Sequence, residues 1–495
     1  MSGFVTLLGA GPGDVGLLTL HGKKALMEAE VVVYDALVGD GIMDLIPADA
    51  ERINVGKRAN HHTMKQEQIN QVLLEKALEG KNVVRLKGGD PFLFGRGGEE
   101  LELLAEHGVP FREIPGVTSA ISAPAYAGIP VTHRDFASSL HIITGHKREG
   151  KELDIDFEAL VRTRGTLVFL MGVGALPDIC AGLMKGGMDP DTPASIVEKG
   201  TTPHQRRLDA TVSTLAQRVV EEGIGTPAIS VFGKVCSLGE KFDWFDKLAL
   251  KGKTIVVTRP KNRAGTLSKR LRDLGAQVIE FPCIETRPIV PCEPMAKALN
   301  ELDQYEWLAL TSPAGAQALW DELEREGRDA RALAGVKLAV IGPGTGGVMA
   351  RHGIKADYAP EVYDADHLGA GLAKLAKGRV LILRAEEGTP NLPAELDKGG
   401  VAYDDIKTYQ TVYQNPHSDE LRATLDAGEA DVVTFTSAST VKGFVASVGA
   451  DYDFTKVLGA CIGVQTEAEA KKYGIRTLVA EKATMDALIE TIRRV

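Results

Sequence analysis

Short apolar runs alternate with amphipathic stretches along almost the whole 495-residue chain. Phe4–Leu8, Val31–Tyr34, Val83–Leu86, Leu140–Thr144 and Leu167–Met171 are rich in β-branched and other apolar residues, and they read as strands. Lys65–Glu79 places Ile69, Val72, Leu73 and Leu78 at helical spacing, which predicts an amphipathic helix. Alternation of this kind implies α/β architecture with mainly parallel strands.

The pattern breaks near residues 236–253. There a polar, turn-rich stretch, CSLGEKFDWFDKLALKGK, separates the strand PAISVFG from a new one, TIVVTRP. Beyond the break the chain repeats itself. LALTSPAGAQAL (308–319) parallels VTFTSASTVKGF (433–444), and the IGPGT region (338–354) parallels the IGVQT region (459–475). Residues 254–286 likewise parallel 379–411. The order of the copies predicts two similar parallel α/β lobes, one inserted in the other. The outer lobe would be 250–287 plus 412–495, and the inserted lobe 288–411.

Composition narrows the class. Apolar residues make up 44% and charged residues 25%, as in an ordinary globular protein. The N-terminus runs straight into a strand-and-turn pattern without a signal-peptide profile, and no apolar run is long enough to span a bilayer, so the cytoplasm is the expected compartment and no membrane partner is expected. Cys180, Cys236, Cys283, Cys292 and Cys461 form no C-x-x-C pair, which fits a reduced compartment and no metal site. A net charge of −10 argues against nucleic acid as a partner. An anionic substrate would need a local basic pocket.

The first half carries four glycine-rich turns after strands. Gly9-Ala10-Gly11-Pro12-Gly13-Asp14 falls short of a dinucleotide fingerprint, because Asp14 stands where the third glycine would be. A nicotinamide-dependent dehydrogenase is therefore disfavoured. Lys87-Gly88-Gly89-Asp90-Pro91, Gly95-Arg96-Gly97-Gly98-Glu99-Glu100 and Pro115-Gly116-Val117-Thr118-Ser119 are the others. Any one of them is an ordinary tight turn. Four in one α/β unit exceed what packing requires, and they point to a ligand held against backbone.

GAGPGD, VVVYD, VGKR, RLKGGDPFLFGRGGEE, PGVTSA, GIPVTHRD, TGH and VFLMG, in this order and spacing, resemble uroporphyrinogen-III C-methyltransferase over residues 3–245. The resemblance implies a two-lobed α/β unit (lobes 1–115 and 116–245) with S-adenosylmethionine in the cleft and S-adenosylhomocysteine as product. Carried over by motif, cofactor contacts fall on Pro12, Gly88, Gly89, Asp90, Leu93, Thr118, Ser119, Met171, Gly200 and Ala228. Leu93 and Ser119 stand where relatives often have Ile and Ala. Asp35 and Lys57 match acid–base positions, and Arg96 and Glu99 match substrate-handling ones. Asp35 is equally explained as a turn residue closing a strand. The implied substrate carries eight carboxylates, so Arg58, His133 and Arg134 are the expected basic contacts. His61-His62 lacks a third ligand at useful spacing, which excludes a metal reading. The family's habit implies a homodimer through this half.

VTRP, LALTSPAG, VIGPGT, IKTYQT, TFTSAS and IGVQT resemble uroporphyrinogen-III synthase over residues 250–495. That family closes hydroxymethylbilane to uroporphyrinogen III, the substrate implied for the first half. Tyr409 matches a tyrosine near the leaving hydroxyl, and it is equally explained as a half-buried strand residue. Ser312, Thr345, Ser437 and Thr466 sit at the turns of the repeats, where hydroxyls either bind carboxylates or cap helices.

Two readings remain from the sequence: a bifunctional synthase and methyltransferase yielding precorrin-2, or a methyltransferase carrying a C-terminal module that binds tetrapyrrole without closing it. No dehydrogenase or chelatase activity is expected, because no N-terminal domain of the siroheme-synthase kind precedes the first motif.

Overall fold

The computed structural model describes residues 3–35, 37–56, 64–146, 153–259, 261–413 and 418–495. The chain divides into two compact units, residues 1–255 with 268–279, and residues 256–267 with 280–495.

The first unit opens with a five-stranded parallel sheet. Its strands are β1 (Phe4–Gly9), β2 (Val31–Tyr34), β3 (Glu51–Asn54), β4 (Asn82–Lys87) and β5 (Phe111–Ile114), in the order β3-β2-β4-β1-β5. Alternate residues feed two cores. Val31, Val33, Val5 and Val83 pack with Leu73, Leu101 and Leu104 on one face, while Val32, Val84 and Leu86 pack with Leu26 and Ile42 on the other. Burial on both faces explains why these strands read as continuous apolar runs. The amphipathic helix spans Gln66–Leu78.

A second sheet contains β6 (Leu140–Thr144), β7 (Thr166–Leu170), β8 (Pro193–Glu198), β9 (Arg206–Thr211) and β10 (Ala228–Phe232), ordered β6-β7-β10-β8-β9. The chain is rich in parallel strands, as expected, but this sheet is mixed. Only β6 and β7 run parallel, while β10 is antiparallel to both neighbours and β8 pairs antiparallel with β9. The link between β8 and β9, residues 199–205, is too short for the crossover that a parallel pair needs.

Two further sheets follow. Strands β11 (Thr254–Val257), β12 (Gln277–Glu280), β13 (Ile284–Pro288), β14 (Tyr305–Leu310), β15 (Lys337–Val340), β16 (Arg379–Ala385), β17 (Tyr403–Tyr413), β18 (Val432–Phe435), β19 (Leu458–Cys461) and β20 (Arg476–Val479) sort into the orders β12-β11-β18-β19-β20 and β13-β17-β16-β14-β15. The chain leaves the first of these sheets after β12, completes the second, and returns through β17 to β18, so one lobe is inserted in the other. In the inserted sheet β14 to β17 are parallel and β13 is antiparallel to β17. Leu308, Leu310, Leu381 and Leu383 fill one face of it, and Trp307, Ala309, Val380 and Ile382 the other.

Among the described residues no helix is long and apolar enough to cross a membrane. All five cysteines are buried and free.

Candidate functional site

Strands β4, β1 and β5 are neighbours, so the glycine turns at their C-terminal ends meet. Gly11 and Gly89 exchange backbone hydrogen bonds of 3.1 and 2.6 Å. A Cβ on Gly116 would stand 2.1 Å from the Gly89 carbonyl oxygen and 2.7 Å from Gly9 Cα, so this junction admits no side chain. Asp90 locks it: its carboxylate accepts from the amides of Phe92, Leu93 and Gly116 at 2.9, 3.1 and 3.2 Å. Asp90 therefore shapes the loop, and the backbone of that loop faces the space beyond.

That space is a cavity of about 770 Å³ within the first unit. The first sheet contributes Pro12 after β1, Asp35 after β2, and Gly88, Gly89, Asp90 and Leu93 after β4. Thr118 and Ser119 open the helix Ser119–Tyr126, where the Thr118 hydroxyl accepts from the Ala120 amide at 3.3 Å. From the second sheet come Met171 after β7, Gly200 after β8 and Ala228 at the start of β10. Because β10 is antiparallel, its beginning lies beside the ends of β7 and β8. All ten cofactor positions carried over by motif thus line one cavity.

The backbone here is strained. Phe94, Met171, Lys199 and Thr201, all on the cavity wall, hold φ values of 56°, 54°, 45° and 68°. Left-handed backbone at non-glycine residues costs energy and clusters at ligand sites. The volume suits a nucleoside-sized ligand. Leu93, Met171, Val197 and Ile229 supply apolar wall, and the glycine turns supply backbone polar groups.

Asp35 caps its own turn, accepting from the Leu37 amide at 3.1 Å, and pairs with Arg85 at 3.6 Å. Arg96 and Glu99 do not line the cavity. They are half-exposed and bonded to each other at 2.5 Å, which holds the Arg96 guanidinium above and the Glu99 carboxyl below their ordinary pKa values. His133 stacks on Phe136 at 4.8 Å and, like Arg134, stands off the cavity wall. Lys57, Arg58, His61 and His62 lie outside the described residues.

In the second unit Tyr409, only 8% exposed, donates its hydroxyl to Ser312 Oγ at 2.8 Å. Ser312 also caps the helix Pro313–Arg325, and Ser437 caps Ala438–Val448. Thr345 and Thr466 sit inside the first turns of their helices and are buried. Close to Tyr409 in sequence, Arg384 grips Asp405 with two hydrogen bonds of 2.7 and 2.6 Å, and Lys407 joins the same carboxylate at 2.6 Å.

Comparison with known proteins assigns both halves. The family of tetrapyrrole (corrin/porphyrin) methylases matches residues 5–216, and uroporphyrinogen-III synthase HemD matches residues 265–490. The porphyrin biosynthesis protein HemD of Ruminiclostridium josui is 49% identical over 492 residues, 99% of this chain and 97% of that one. The chain belongs to this family of methylase–synthase fusions. Siroheme synthase 2 of Yersinia enterocolitica is 50% identical over 252 residues, and there the chain spans about half of the relative's length, 52%. A solved uroporphyrin-III C-methyltransferase of Thermus thermophilus, complexed with S-adenosylhomocysteine, is 42% identical, covers 48% of this chain and 99% of its own, and has a TM-score of 0.42.

Sequence reasoning passed over several groups of the fusion's first cavity. Lys199 and Thr201 leave no trace in sequence, because a left-handed φ in a non-glycine residue is imposed by packing. Tyr126 is reached only through Asp14, to which its hydroxyl donates at 2.7 Å. Arg85 and Lys87 were the readable signal: two cations alternating in the apolar strand NVVRLK must be paired if buried. Their partner, Glu100, comes from the helix Gly97–Glu106.

Proposed function

We propose that the C-terminal half (250–495) closes hydroxymethylbilane to uroporphyrinogen III, and that the N-terminal half (1–245) methylates this product twice, at C2 and C7, giving precorrin-2. The reading rests above all on one observation: ten motif-matched positions from two sheets and three turns converge on a single cavity. Family membership over the full chain supports the pairing of the two activities.

S-Adenosylmethionine, bound in that cavity, supplies an electrophilic methyl group on a sulfonium. The chain's own work is positioning. The rigid junction of Gly9, Gly89 and Gly116 presents fixed amides and carbonyls, and the strained Met171, Lys199 and Thr201 form the part of the wall that comes from the second sheet. Holding donor and pyrrole carbon in line supplies most of the rate. Asp35 and Lys57 are the proposed proton-handling groups for the ring. Arg96, Glu99, Arg58, His133 and Arg134 are proposed to meet substrate carboxylates, with Arg96 exchanging Glu99 for one of them. A homodimer through this half is part of the proposal.

In the second half, the Tyr409 hydroxyl is proposed to assist loss of the terminal hydroxyl of hydroxymethylbilane, with Ser312 holding it in place. Ser437, Thr345 and Thr466 are proposed substrate contacts at helix starts. Incubating the intact chain with hydroxymethylbilane, with and without S-adenosylmethionine, tests both halves. Type III isomer alone, and precorrin-2 on adding the donor, are expected. Type I isomer alone would favour a C-terminal module that binds tetrapyrrole without closing it.

A further inference from the structure

Lys87 is a charged group of the wall to which methyl transfer, as proposed, assigns no part. Lys87, the last residue of β4, lines the cavity and is 6% exposed. Arg85 lies two residues earlier and hence on the same face of the strand. Both cations reach one atom: Oε1 of Glu100 lies 2.8 Å from Lys87 Nζ and 3.2 Å from Arg85 Nε. Gln66 donates to the same oxygen at 3.1 Å. Glu100 is fully buried. Arg85 continues to Asp35 at 3.6 Å, and Asp35 is again on the cavity wall. Two wall residues are therefore the ends of one buried network.

The charged groups facing Lys87 are Arg85 on its own strand, Glu100 and the more distant Glu99 on the helix Gly97–Glu106, and Asp35 after β2. With every group ionised, Arg85 and Lys87 balance Glu100 and Asp35. Arginine keeps its proton throughout the accessible pH range. Lysine does not, and burial followed by repulsion from Arg85 pushes Lys87 below the ordinary lysine pKa, against the pull of Glu100 and Asp35. Loss of that one proton turns a neutral network into one of net negative charge.

A sulfonium ligand is cationic, and its thioether product is not. We propose that Lys87 matches the charge of the wall to the charge of the methyl donor, releasing its proton when the sulfonium binds and taking one back when the ring sheds a proton after transfer. The inference rests on the methyl-donor reading of the cavity. On binding, the proton of the Lys87 ammonium goes to solvent. In the transfer the S–CH3 bond breaks with its pair left on sulfur, and the pyrrole carbon's pair forms the new C–C bond. The ring then loses a proton to solvent through Asp35 and Lys57, and the lone pair of Lys87 takes a proton back from solvent. The cycle balances, and the thioether leaves a neutral network.

Titration calorimetry of the intact chain, in two buffers of different protonation enthalpy, counts protons released on binding S-adenosylmethionine and S-adenosylhomocysteine. Lys87→Arg is the reference: it cannot release the proton, and it cancels protons from the ligands' own amino groups. The wild type should release more protons than the variant with S-adenosylmethionine and the same number with S-adenosylhomocysteine. The variant should also lose preference for the sulfonium ligand by about tenfold, the ratio expected for one pKa unit of coupling. Equal proton release by wild type and variant with both ligands would overturn the proposal and leave the methyl-donor reading standing. Failure of both ligands to bind the wild type would overturn that reading and this inference with it. If Lys87→Arg does not fold, Lys87→Gln serves as the same reference.

Discussion

The hydroxyl of Tyr126 donates to Asp14 Oδ2 at 2.7 Å, across 112 residues of sequence. Asp14 stands at the end of the first glycine turn, and its other oxygen caps Val15–Leu17 through the Gly16 amide at 2.7 Å. The aspartate that breaks the dinucleotide fingerprint thus ties the turn after β1 to the helix Ser119–Tyr126.

Tyr126→Phe should lower stability by about 1.5 kcal/mol, the usual worth of a hydrogen bond to a charged group. Burial, then the bond to Asp14, pushes the Tyr126 phenol above its ordinary pKa. A raised folded pKa means the stabilisation is complete below the unfolded value, about 10. It is lost as pH rises toward the folded value. Urea unfolding should therefore show a constant gap between wild type and Tyr126→Phe from pH 7 to 9, closing above about pH 10. A gap independent of alkaline pH would refute the linkage.

The glycine junction makes a paired prediction. Gly116→Ala drives a methyl to 2.1 Å from the Gly89 carbonyl oxygen, so the turns after β1, β4 and β5 must separate. A loss of about 3 kcal/mol or more in stability and no measurable S-adenosylhomocysteine binding are expected. Gly98, in the helix Gly97–Glu106, has nothing within 4 Å of an added Cβ. Gly98→Ala should leave binding intact and raise stability by up to about 1 kcal/mol. Thermal melts with calorimetric binding compare the two.

Tyr409→Phe removes the hydroxyl that bonds Ser312 and, in the proposed reaction, assists the leaving group. Formation of type III isomer should fall at least about tenfold, which corresponds to ~1.4 kcal/mol in the barrier. Ser312→Ala removes a helix cap and should cost about 1 kcal/mol of stability with a smaller loss of rate. Isomer analysis by chromatography separates the roles. Equal, small effects of both variants would mark Tyr409 as a packing residue.

Glu306 binds Lys337 at 3.0 Å and accepts from the amides of Gly378 and Lys377 at 2.7 Å each. These contacts, the lysine first, pull its carboxyl down to about 2. A depressed folded pKa contributes stability above the unfolded value and loses it as pH falls through the folded one. Glu306→Gln should therefore weaken the second unit at pH 6, with the difference from wild type vanishing as pH falls from about 4.5 to about 2. Circular dichroism along an acid titration of both proteins checks this.

The strands at Phe4, Val31, Asn82, Leu140 and Thr166 were legible to within one residue; in all but the partly buried edge strand at Leu140, burial on both faces of a sheet imposes a local apolar run. The insertion of one lobe in another was legible from the order of the repeats. The antiparallel half of the second sheet was not, since strand direction depends on the length and path of a connection and not on the apolar run itself.

By itself the sequence determined the α/β class, the two-part organisation and the glycine turns after the strands, since each is written in periodicity, repeats or residues whose backbone freedom is local. The tertiary structure alone decided that turns from two sheets share one cavity, that Asp90 is spent on backbone amides, and that Arg96 and Glu99 stand away from its wall. It alone gathered Asp35, Arg85, Lys87 and Glu100 into one network. The reason is physical: burial, charge pairing and left-handed backbone at non-glycine residues depend on neighbours distant in sequence, which no local pattern specifies.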